Sequence, residues 1–289
     1  MTLLATPEAR RDVRDGLLLL ALSFVALRLV PNTAIGPYGA INPQAIARLM
    51  LVVTFISAVG YATQRVFGAR WGLVASGFGS GFVSSTATIA ALGLRSRQDQ
   101  ANVRSAAAGA TASSVATIVQ YGSIVAAIDR GLLAYLALPL GLALAAAAAA
   151  TALLARQAHA AAEPEDSPKG RAFQVLPALV VGAGSALVSI LAAAFGDSIG
   201  EAGIVLVSSA SGLIDAHATT GAIATLHQSG QLGPHSAALA LTAALTTNTG
   251  TKIVMAFIGG PRSYGVRVAG GVLAIASAAW VGLFWMWRG

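Results

Sequence analysis

Residues 211–223 read SGLIDAHATTGAI, and residues 80–92 read SGFVSSTATIAAL. Aligned at a constant offset that pairs residue 80 with residue 211, the two stretches share a leading Ser-Gly and a central Ala-Thr pair. Asp215 of the later stretch stands where the earlier one has Ser84. Small, helix-weakening residues followed by Ser or Asp and then by helix formers are typical of a helix N-terminus. The pattern therefore predicts that a helix begins inside each stretch and that one folding unit occurs twice in the chain.

The composition is that of a membrane protein. Of the 289 residues, 56% are hydrophobic and 10% are charged, and the mean hydropathy is +0.73, which is more apolar surface than a soluble core of this length can bury. The formal charge of +7 comes without basic runs or basic–aromatic patches, so charged loops explain it better than nucleic-acid binding does. The chain has no cysteine, which excludes disulfides, thiolate metal ligands and cysteine nucleophiles.

Nine apolar segments are each long enough, as helices, to cross about 30 Å of hydrocarbon. They fall at 16–32, 43–63, 71–94, 105–128, 131–155, 172–194, 203–226, 236–258 and 268–287. If all nine cross, eight loop and terminal Arg and Lys residues lie inside and seven lie outside, whereas the division is thirteen against two if the third and seventh segments are re-entrant. If only the third segment is re-entrant, twelve of these residues lie inside and three lie outside, so charge alone hardly separates the two cases. The prediction that the seventh segment is re-entrant therefore rests on the internal repeat. The positive-inside rule thus favours broken or re-entrant segments and a cytoplasmic N-terminus.

We therefore predict an all-α integral protein of the cytoplasmic membrane, with one N-terminal span and two inverted repeats. Residues 1–42 hold the N-terminal segment and first span, 43–155 the first repeat, 156–171 a cytoplasmic linker and 172–289 the second repeat. Each repeat has three crossings and one re-entrant or broken helix, and the odd number of crossings inverts the second copy. Inverted repeats whose broken helices meet near the midplane are typical of secondary transporters.

Asp215 and Lys252 are the charged residues that lie deep in predicted segments. Intramembrane charges cost roughly 2.5 to 3.5 kcal/mol each and mark ion or substrate paths with a partner nearby, so we expect these two residues to pair. In an unwound stretch Asp215, His217 and Thr219 would point to one side as metal ligands, and the histidine favours manganese or zinc over magnesium. The remaining residues of the predicted ion path are Ser84, Ser85, Thr86, Thr88, Thr117, Asn248 and Lys252.

Each of these residues also has a purely structural explanation. Asp215 can act as a helix N-cap alone, and His217 can be a buried imidazole bonded to a backbone carbonyl. Lys252 can tether helix C-terminal carbonyls. The serine and threonine hydroxyls can serve as packing contacts between membrane helices.

We expect a transporter or channel-like permease for a small ion, with a divalent metal cation as cargo, no permanent cofactor, and the bilayer and the ion as partners. Two helix N-termini at the midplane together with Lys252 would instead suit an anion or organic acid. A non-transporting regulatory or scaffold protein is the third alternative. No HExxH or G-x-S-x-G motif occurs, so we expect no enzyme. Gly- and Ala-rich faces, such as 146–155, are compatible with a homodimer.

The chain resembles the MgtC/SapB-associated membrane domain of unknown function catalogued as 4010. The matching stretches are GPYGAINPQAI (36–46), GYATQRVFGARWGL (60–73), GFGSGFVSSTATIAAL (77–92), SGLIDAHATTGAIA (211–224) and NTGTK (248–252). The resemblance spans nearly the whole chain and supports the predicted fold. Its association with magnesium-linked MgtC proteins implies a divalent cation. Family members often carry a second acid where this chain has His217.

Overall fold

Helices make up the regular structure of the described residues, apart from an isolated β-bridge between Ile35 and Ile41. The computed structural model describes residues 27–98, 102–157 and 175–288. After a short 3₁₀ helix at Pro37–Gly39, the α-helices are α1 (Pro43–Gln98), α2 (Val103–Ile128), α3 (Arg130–Tyr135), α4 (Ala137–Arg156), α5 (Val175–Ile199), α6 (Glu201–Ser211), α7 (Ala216–Gln228), α8 (Pro234–Gly259) and α9 (Arg262–Met286). The predicted first span at 16–32 and the predicted linker at 156–171 lie largely outside the described residues.

Five helical segments are long and apolar enough to cross a membrane, which makes this a multi-pass membrane protein. They are Gly72–Gln98, Val103–Ile128, Ala137–Arg156, Leu179–Ile199 and Arg262–Met286. Two shorter apolar helical segments are Pro43–Ile56 and Glu201–Ser211. The all-helical membrane class predicted from the sequence is thereby confirmed for the described part of the chain.

Helix α1 runs through two predicted segments, 43–63 and 71–94, where the sequence suggests a loop between them. Its backbone leaves helical geometry at Gly72 (φ 63°, ψ −151°) and at Ser84 (φ −164°, ψ 107°). Glycine adopts a positive φ readily because it has no Cβ, so the chain changes direction at Gly72 without a loop. Gly200 has nearly the same conformation between α5 and α6 (φ 69°, ψ −161°).

The first arm of α1, residues 73–83, lies against α2 and runs in the same direction. A Cβ on Gly77 would collide with the Gly109 carbonyl oxygen, and a Cβ on Gly81 would come within 2.6 Å of the Ser113 backbone. The two contacts are one helical turn apart on both helices, which is the small-residue packing that lets membrane helices approach closely.

The second arm of α1, residues 85–98, lies against α2 in the opposite direction. Near its start, the Ser85 carbonyl lies 3.5 Å from the Ser113 hydroxyl. Further along, the Leu92 side chain packs on Gly109, which is closer to the beginning of α2. The chain therefore turns back between the two arms, about halfway along α2.

Helices α6 and α7 form a similar pair against α8. At the start of α6, the Glu201 carboxylate accepts a hydrogen bond from the Ser236 hydroxyl near the start of α8. At the other end of α6, the Ser209 carbonyl accepts from the Thr247 hydroxyl at 2.6 Å. Helix α7 then ends at Gln228, shortly before α8 begins. Here too the chain advances along the long helix and then returns.

The close contact of Gly77 leads to a stability prediction. Replacing Gly77 with alanine places a methyl group against the Gly109 backbone, which cannot rotate away, so we expect a loss of about 2 kcal/mol from overpacking. Replacing Gly250 of α8 with alanine, whose Cβ would meet nothing within 4 Å, should instead gain up to about 1 kcal/mol from helix propensity. Unfolding of both variants in the same detergent measures the difference. Equal effects would contradict the close packing of the first arm on α2.

The two ends of the helix bundle differ in charge. At the basic end, the Arg97 guanidinium donates to the Ile258 carbonyl at 2.9 Å, and the Arg104 guanidinium donates to the Gln157 carbonyl at 3.3 Å. The ends of α1, α4 and α8 therefore meet near the beginning of α2. The positive-inside count predicts the same grouping of arginines.

Candidate functional site

The first helix break is capped by its own serine. Ser84 has extended backbone angles, and its hydroxyl accepts a hydrogen bond from the Ala87 amide at 3.2 Å. The Thr88 hydroxyl donates to the Ser84 carbonyl at 2.8 Å. Ser84 is thus the N-cap of the second arm, as the sequence predicts.

The second helix break is capped by Asp215, which is also extended (φ −148°, ψ 111°). Its Oδ1 accepts hydrogen bonds from the backbone amides of His217 at 2.8 Å and Ala218 at 3.1 Å. The Thr219 hydroxyl donates to the Asp215 carbonyl at 2.7 Å, as Thr88 does at the first break. The structure therefore places a capped helix start at each of the two positions that the sequence indicates.

The unwound conformation that would align Asp215, His217 and Thr219 is not adopted. The chain is helical from Ala216 onward, because the Asp215 cap begins α7 there. The Thr219 side chain is buried and its hydroxyl is bonded to the Asp215 carbonyl. Asp215 and His217 nevertheless lie side by side, with 3.5 Å between Oδ1 and the imidazole Nδ1, and they retain 29% and 17% side-chain exposure.

Gln120 of α2 joins the two breaks. This side chain is 2% exposed, and its Nε2 donates to the Phe82 carbonyl, just before the first break, at 3.0 Å. Its Oε1 lies 3.0 Å from His217 Nε2, just after the second break. The ring of the next residue, Tyr121, stands edge-on to the His217 ring, with 6.3 Å between centroids. A single glutamine amide therefore connects the two interrupted helices.

Lys252 does not form the ion pair with Asp215 that the sequence suggested. It is 2% exposed, and its ammonium group donates to the hydroxyls of Thr117 at 3.0 Å and Ser114 at 3.3 Å. Among the residues that the structure describes, no carboxylate lies within 4 Å of it. The geometric reason is that Asp215 faces His217 and its own helix start, while Lys252 reaches across to α2.

Two buried polar atoms near this region have no hydrogen-bond partner within the described residues, the Tyr121 hydroxyl and Asn248 Oδ1. The Asn248 amide nitrogen lies 3.4 Å from the Gly212 carbonyl in the second break. Unpaired buried polar atoms are uncommon and call for a ligand, a water or another explanation. We define the central site as Thr117, Gln120, Tyr121, Asp215, His217, Asn248 and Lys252, whereas Ser84 only caps its own helix arm.

The other predicted path residues lie at the first break without reaching the second. Ser85 and Thr88 are buried and Thr86 is half-buried in the second arm of α1. Within the described ranges, no group of three or more His, Cys, Asp or Glu side chains is arranged to hold a metal ion. Asp215 and His217 are thus a pair of strong ligands, which hydroxyl, amide or water oxygens would have to complete.

Gln120 and His227 make contacts that the sequence does not predict. Gln120 is a large polar residue in the middle of the predicted segment 105–128, and that isolation was the signal available. His227 lies just beyond the predicted segment 203–226, and its Nδ1 lies 2.6 Å from Asp129 Oδ2 at the end of the bundle opposite Arg97 and Arg104. Asp129 and Glu201 lie at this end together with Arg130 and Arg288. The partners of Gln120 and His227 are far away in sequence, so they could not be identified before the fold was known.

The contact between Asp129 and His227 gives a pH prediction. Partial burial raises the pKa of Asp129, but the Leu132 amide and the His227 side chain lower it by more, so the pKa lies below its ordinary value. A carboxyl with a depressed pKa stabilises the fold above its unfolded pKa of about 3.9, and this contribution is lost as the pH falls through the folded value. We expect Asp129→Asn, which preserves the cap on α3, to flatten the acid limb of thermal stability plotted against pH. Parallel curves for the variant and the wild type would contradict this assignment.

A comparison with known families identifies a family for most of the chain. The model of the family described as Domain of unknown function (DUF4010) matches residues 51–260, which covers both helix breaks and the central site. No curated protein and no solved structure matches the chain.

Proposed function

The chain belongs to the DUF4010 family, a domain of unknown function, and from its geometry we propose that it is a membrane transporter or channel-like permease for a small ion. We propose a divalent metal cation as the cargo. The observation that carries this proposal is the pair of Asp215 and His217, which stands at one interrupted helix and is tied through Gln120 to the other. Interrupted helices that face each other within a bundle are how many transporters build an ion site.

Matched contacts in the two halves support an internal repeat. Helices α2 and α8 are both 26 residues long, and the offset that pairs residue 80 with residue 211 also pairs their first residues, Val103 and Pro234. The same offset relates the contact of Gly81 on Ser113 to that of Gly212 on Ala244. It also relates the hydrogen bond from Gln120 to the Phe82 carbonyl to the one from Thr251 to the Leu213 carbonyl.

Contacts at the two ends support an inverted arrangement of these repeats. The second arm of α1 ends near the beginning of α2, and there Arg97 contacts the last turn of α8. Helix α7 ends near the beginning of α8, and there Gln228 donates to the Ile128 carbonyl at the end of α2 at 2.6 Å. These contacts require α2 and α8 to point in opposite directions. We infer that the two hairpins are re-entrant elements that enter from opposite faces of the membrane.

The donor atoms of the central site suit a borderline divalent cation. Asp215 Oδ1 is occupied by the two amides that it caps, whereas Oδ2 makes none of these contacts. Oδ2 and the His217 imidazole supply one carboxylate and one nitrogen ligand, a combination that favours manganese or zinc over magnesium. The side-chain oxygen of Asn248 is a candidate further donor, since it has no partner among the described residues.

We assign Lys252 the role of balancing the Asp215 charge when the site is empty. With no cation bound, its ammonium group offsets the Asp215 charge across the site at longer range than a salt bridge, and a bound divalent cation takes over that role. The basic end is then the cytoplasmic face, as the positive-inside rule requires. The homodimer and the link to MgtC proteins remain predictions.

One observation favours anion or organic-acid transport as a second candidate. The Lys252 ammonium is buried against two hydroxyls without a carboxylate among the described residues, and two helix N-termini face the same region. Helix N-termini and lysine together attract anions. We rank this function second because Asp215 stands at one of the two N-termini.

Thermal unfolding in different salts separates the two candidates. A cation transporter should be stabilised by the chlorides of Mn²⁺ or Zn²⁺ and should respond equally to sodium salts of different anions, because ligand binding to the folded state raises stability by mass action. With ligand at about 100 times its Kd, the gain is about 2.7 kcal/mol. If the thermal stability depends on the anion and does not change with the divalent metal, the result would favour anion or organic-acid transport.

A further inference from the structure

Gln120 contacts one residue at each of the two breaks, Phe82 and His217. We propose that Gln120 is a positioning residue that keeps the proton of neutral His217 on Nε2, and that it thereby leaves Nδ1, next to Asp215, as the atom that binds the cation. The part of this inference that concerns the cation rests on the proposed function. The part that concerns the proton does not.

The orientation of the Gln120 amide follows from its neighbour in the first break. Phe82 presents a backbone carbonyl oxygen, which can only accept a hydrogen bond. The amide nitrogen of Gln120 must therefore face Phe82, and the amide oxygen must face His217. An amide oxygen also only accepts, so the nitrogen of His217 that lies 3.0 Å from it has to carry a hydrogen.

A neutral imidazole has one protonated nitrogen, so the other nitrogen of His217 then has a free lone pair. That nitrogen is Nδ1, which lies 3.5 Å from Asp215 Oδ1. A lone pair next to a carboxylate is unfavourable when nothing lies between them and favourable when a cation does. Gln120 therefore keeps Asp215 and His217 in a state in which both side chains offer a lone pair to a cation. Metal-binding histidines commonly have their second nitrogen fixed in this way by an oxygen acceptor.

The second half of the chain lacks this bridge. Thr251, which the repeat offset pairs with Gln120, donates to the Leu213 carbonyl at 3.2 Å, and this bond matches the one from Gln120 to Phe82. Its side chain is too short to continue to the opposite helix, and the residue that corresponds to His217 is Thr86. The side-chain connection between the two breaks is therefore made only from the first half. Thr251 serves as a control, because it makes the contact equivalent to that with Phe82 and none with His217.

The protonated nitrogen can be measured directly by ¹⁵N NMR of histidine-labelled protein at alkaline pH, without metal. The chain has four histidines, and the signals missing from His217→Asn identify those of His217. We expect the wild type to carry the proton on Nε2. Predominant protonation of Nδ1 would overturn the inference, whatever the protein transports.

Two variants of Gln120 separate its two contacts. Gln120→Glu keeps an oxygen acceptor for His217 and loses the donor to Phe82, so we expect the proton to stay on Nε2. Gln120→Met loses both contacts, so we expect the proton to move to Nδ1, where the Asp215 carboxylate accepts it. Thr251→Val should leave the His217 signals unchanged. If Gln120→Met matches the wild type, Gln120 does not position the ring; if this variant fails to fold, the wild-type and Gln120→Glu spectra decide.

Transport kinetics test the consequence for the cation. We expect Gln120→Met to raise the KM for Mn²⁺ uptake by about 10- to 100-fold, the usual effect of losing a group that orients a ligand. A purely structural role would lower the maximal rate, through less folded protein, and leave KM unchanged. Thr251→Val should keep the wild-type KM. An unchanged KM in Gln120→Met overturns the inference, whereas no uptake by the wild type contradicts the proposed function and leaves the NMR result valid.

Discussion

Replacing Asp215 with asparagine should abolish cation transport and leave the protein folded. Asparagine caps helices as well as aspartate does, so the two amide hydrogen bonds that begin α7 remain possible. The variant loses the carboxylate charge that would bind a divalent cation. We expect Mn²⁺ uptake into proteoliposomes to fall by more than about 100-fold, since loss of a direct ligand should exceed the effect of losing an orienting partner.

The control for Asp215→Asn is Ser84→Ala at the equivalent break. That change removes the Ser84 cap and should cost about 1 kcal/mol of stability, because the Ala87 amide loses its partner. It removes no charge, so uptake per folded protein should stay within a few-fold of the wild type. Unchanged uptake in Asp215→Asn would remove this carboxylate from the mechanism.

Replacing Lys252 with methionine should stabilise the protein and impair its transport. The buried ammonium is held by two hydroxyls, and burying a charge without a charged partner is unfavourable. Methionine has a similar length and no charge, so we expect a gain of about 1 to 4 kcal/mol, the range found when buried ion pairs are replaced by apolar residues. A residue retained at the expense of stability is expected at a functional site. Unfolding in detergent and uptake in proteoliposomes measure the two effects.

Tyr121→Phe is the matched control for Lys252→Met, because Tyr121 is the residue that the repeat offset pairs with Lys252. Its hydroxyl has no partner among the described residues, so its removal should change the stability little. If Lys252→Met is less stable than the wild type, the fold needs the ammonium group. The proposal that Lys252 serves to balance the Asp215 charge would then lose its support.

Local sequence signals predicted the helix breaks and could not predict the contacts between them. Ser84 and Asp215 follow small residues and precede helix formers, and an N-cap needs no other information. The conformation of Gly72 was not evident, because a glycine in an apolar run fits a continuous helix and a sharp bend equally well.

The long-range partners in the central site depend on how helices pack. Asp215 and Lys252 are the deep charges of the sequence, so pairing them was reasonable. In the structure Asp215 instead contacts His217, which is two residues away at the start of α7, and Lys252 donates a hydrogen bond to Thr117, because Lys252 faces α2. The link from Gln120 to His217 spans 97 positions and could not be read from any local pattern.

The central claim is that Asp215 and His217 bind a divalent cation between two interrupted helices. The most direct measurement is anomalous X-ray diffraction from crystals of the protein grown with Zn²⁺. We predict one strong anomalous peak about 2.0 to 2.2 Å from Asp215 Oδ2 and from His217 Nδ1, the usual distances for zinc ligands. Density that shows no peak between the two breaks, or a peak that lies away from both side chains, would contradict the claim.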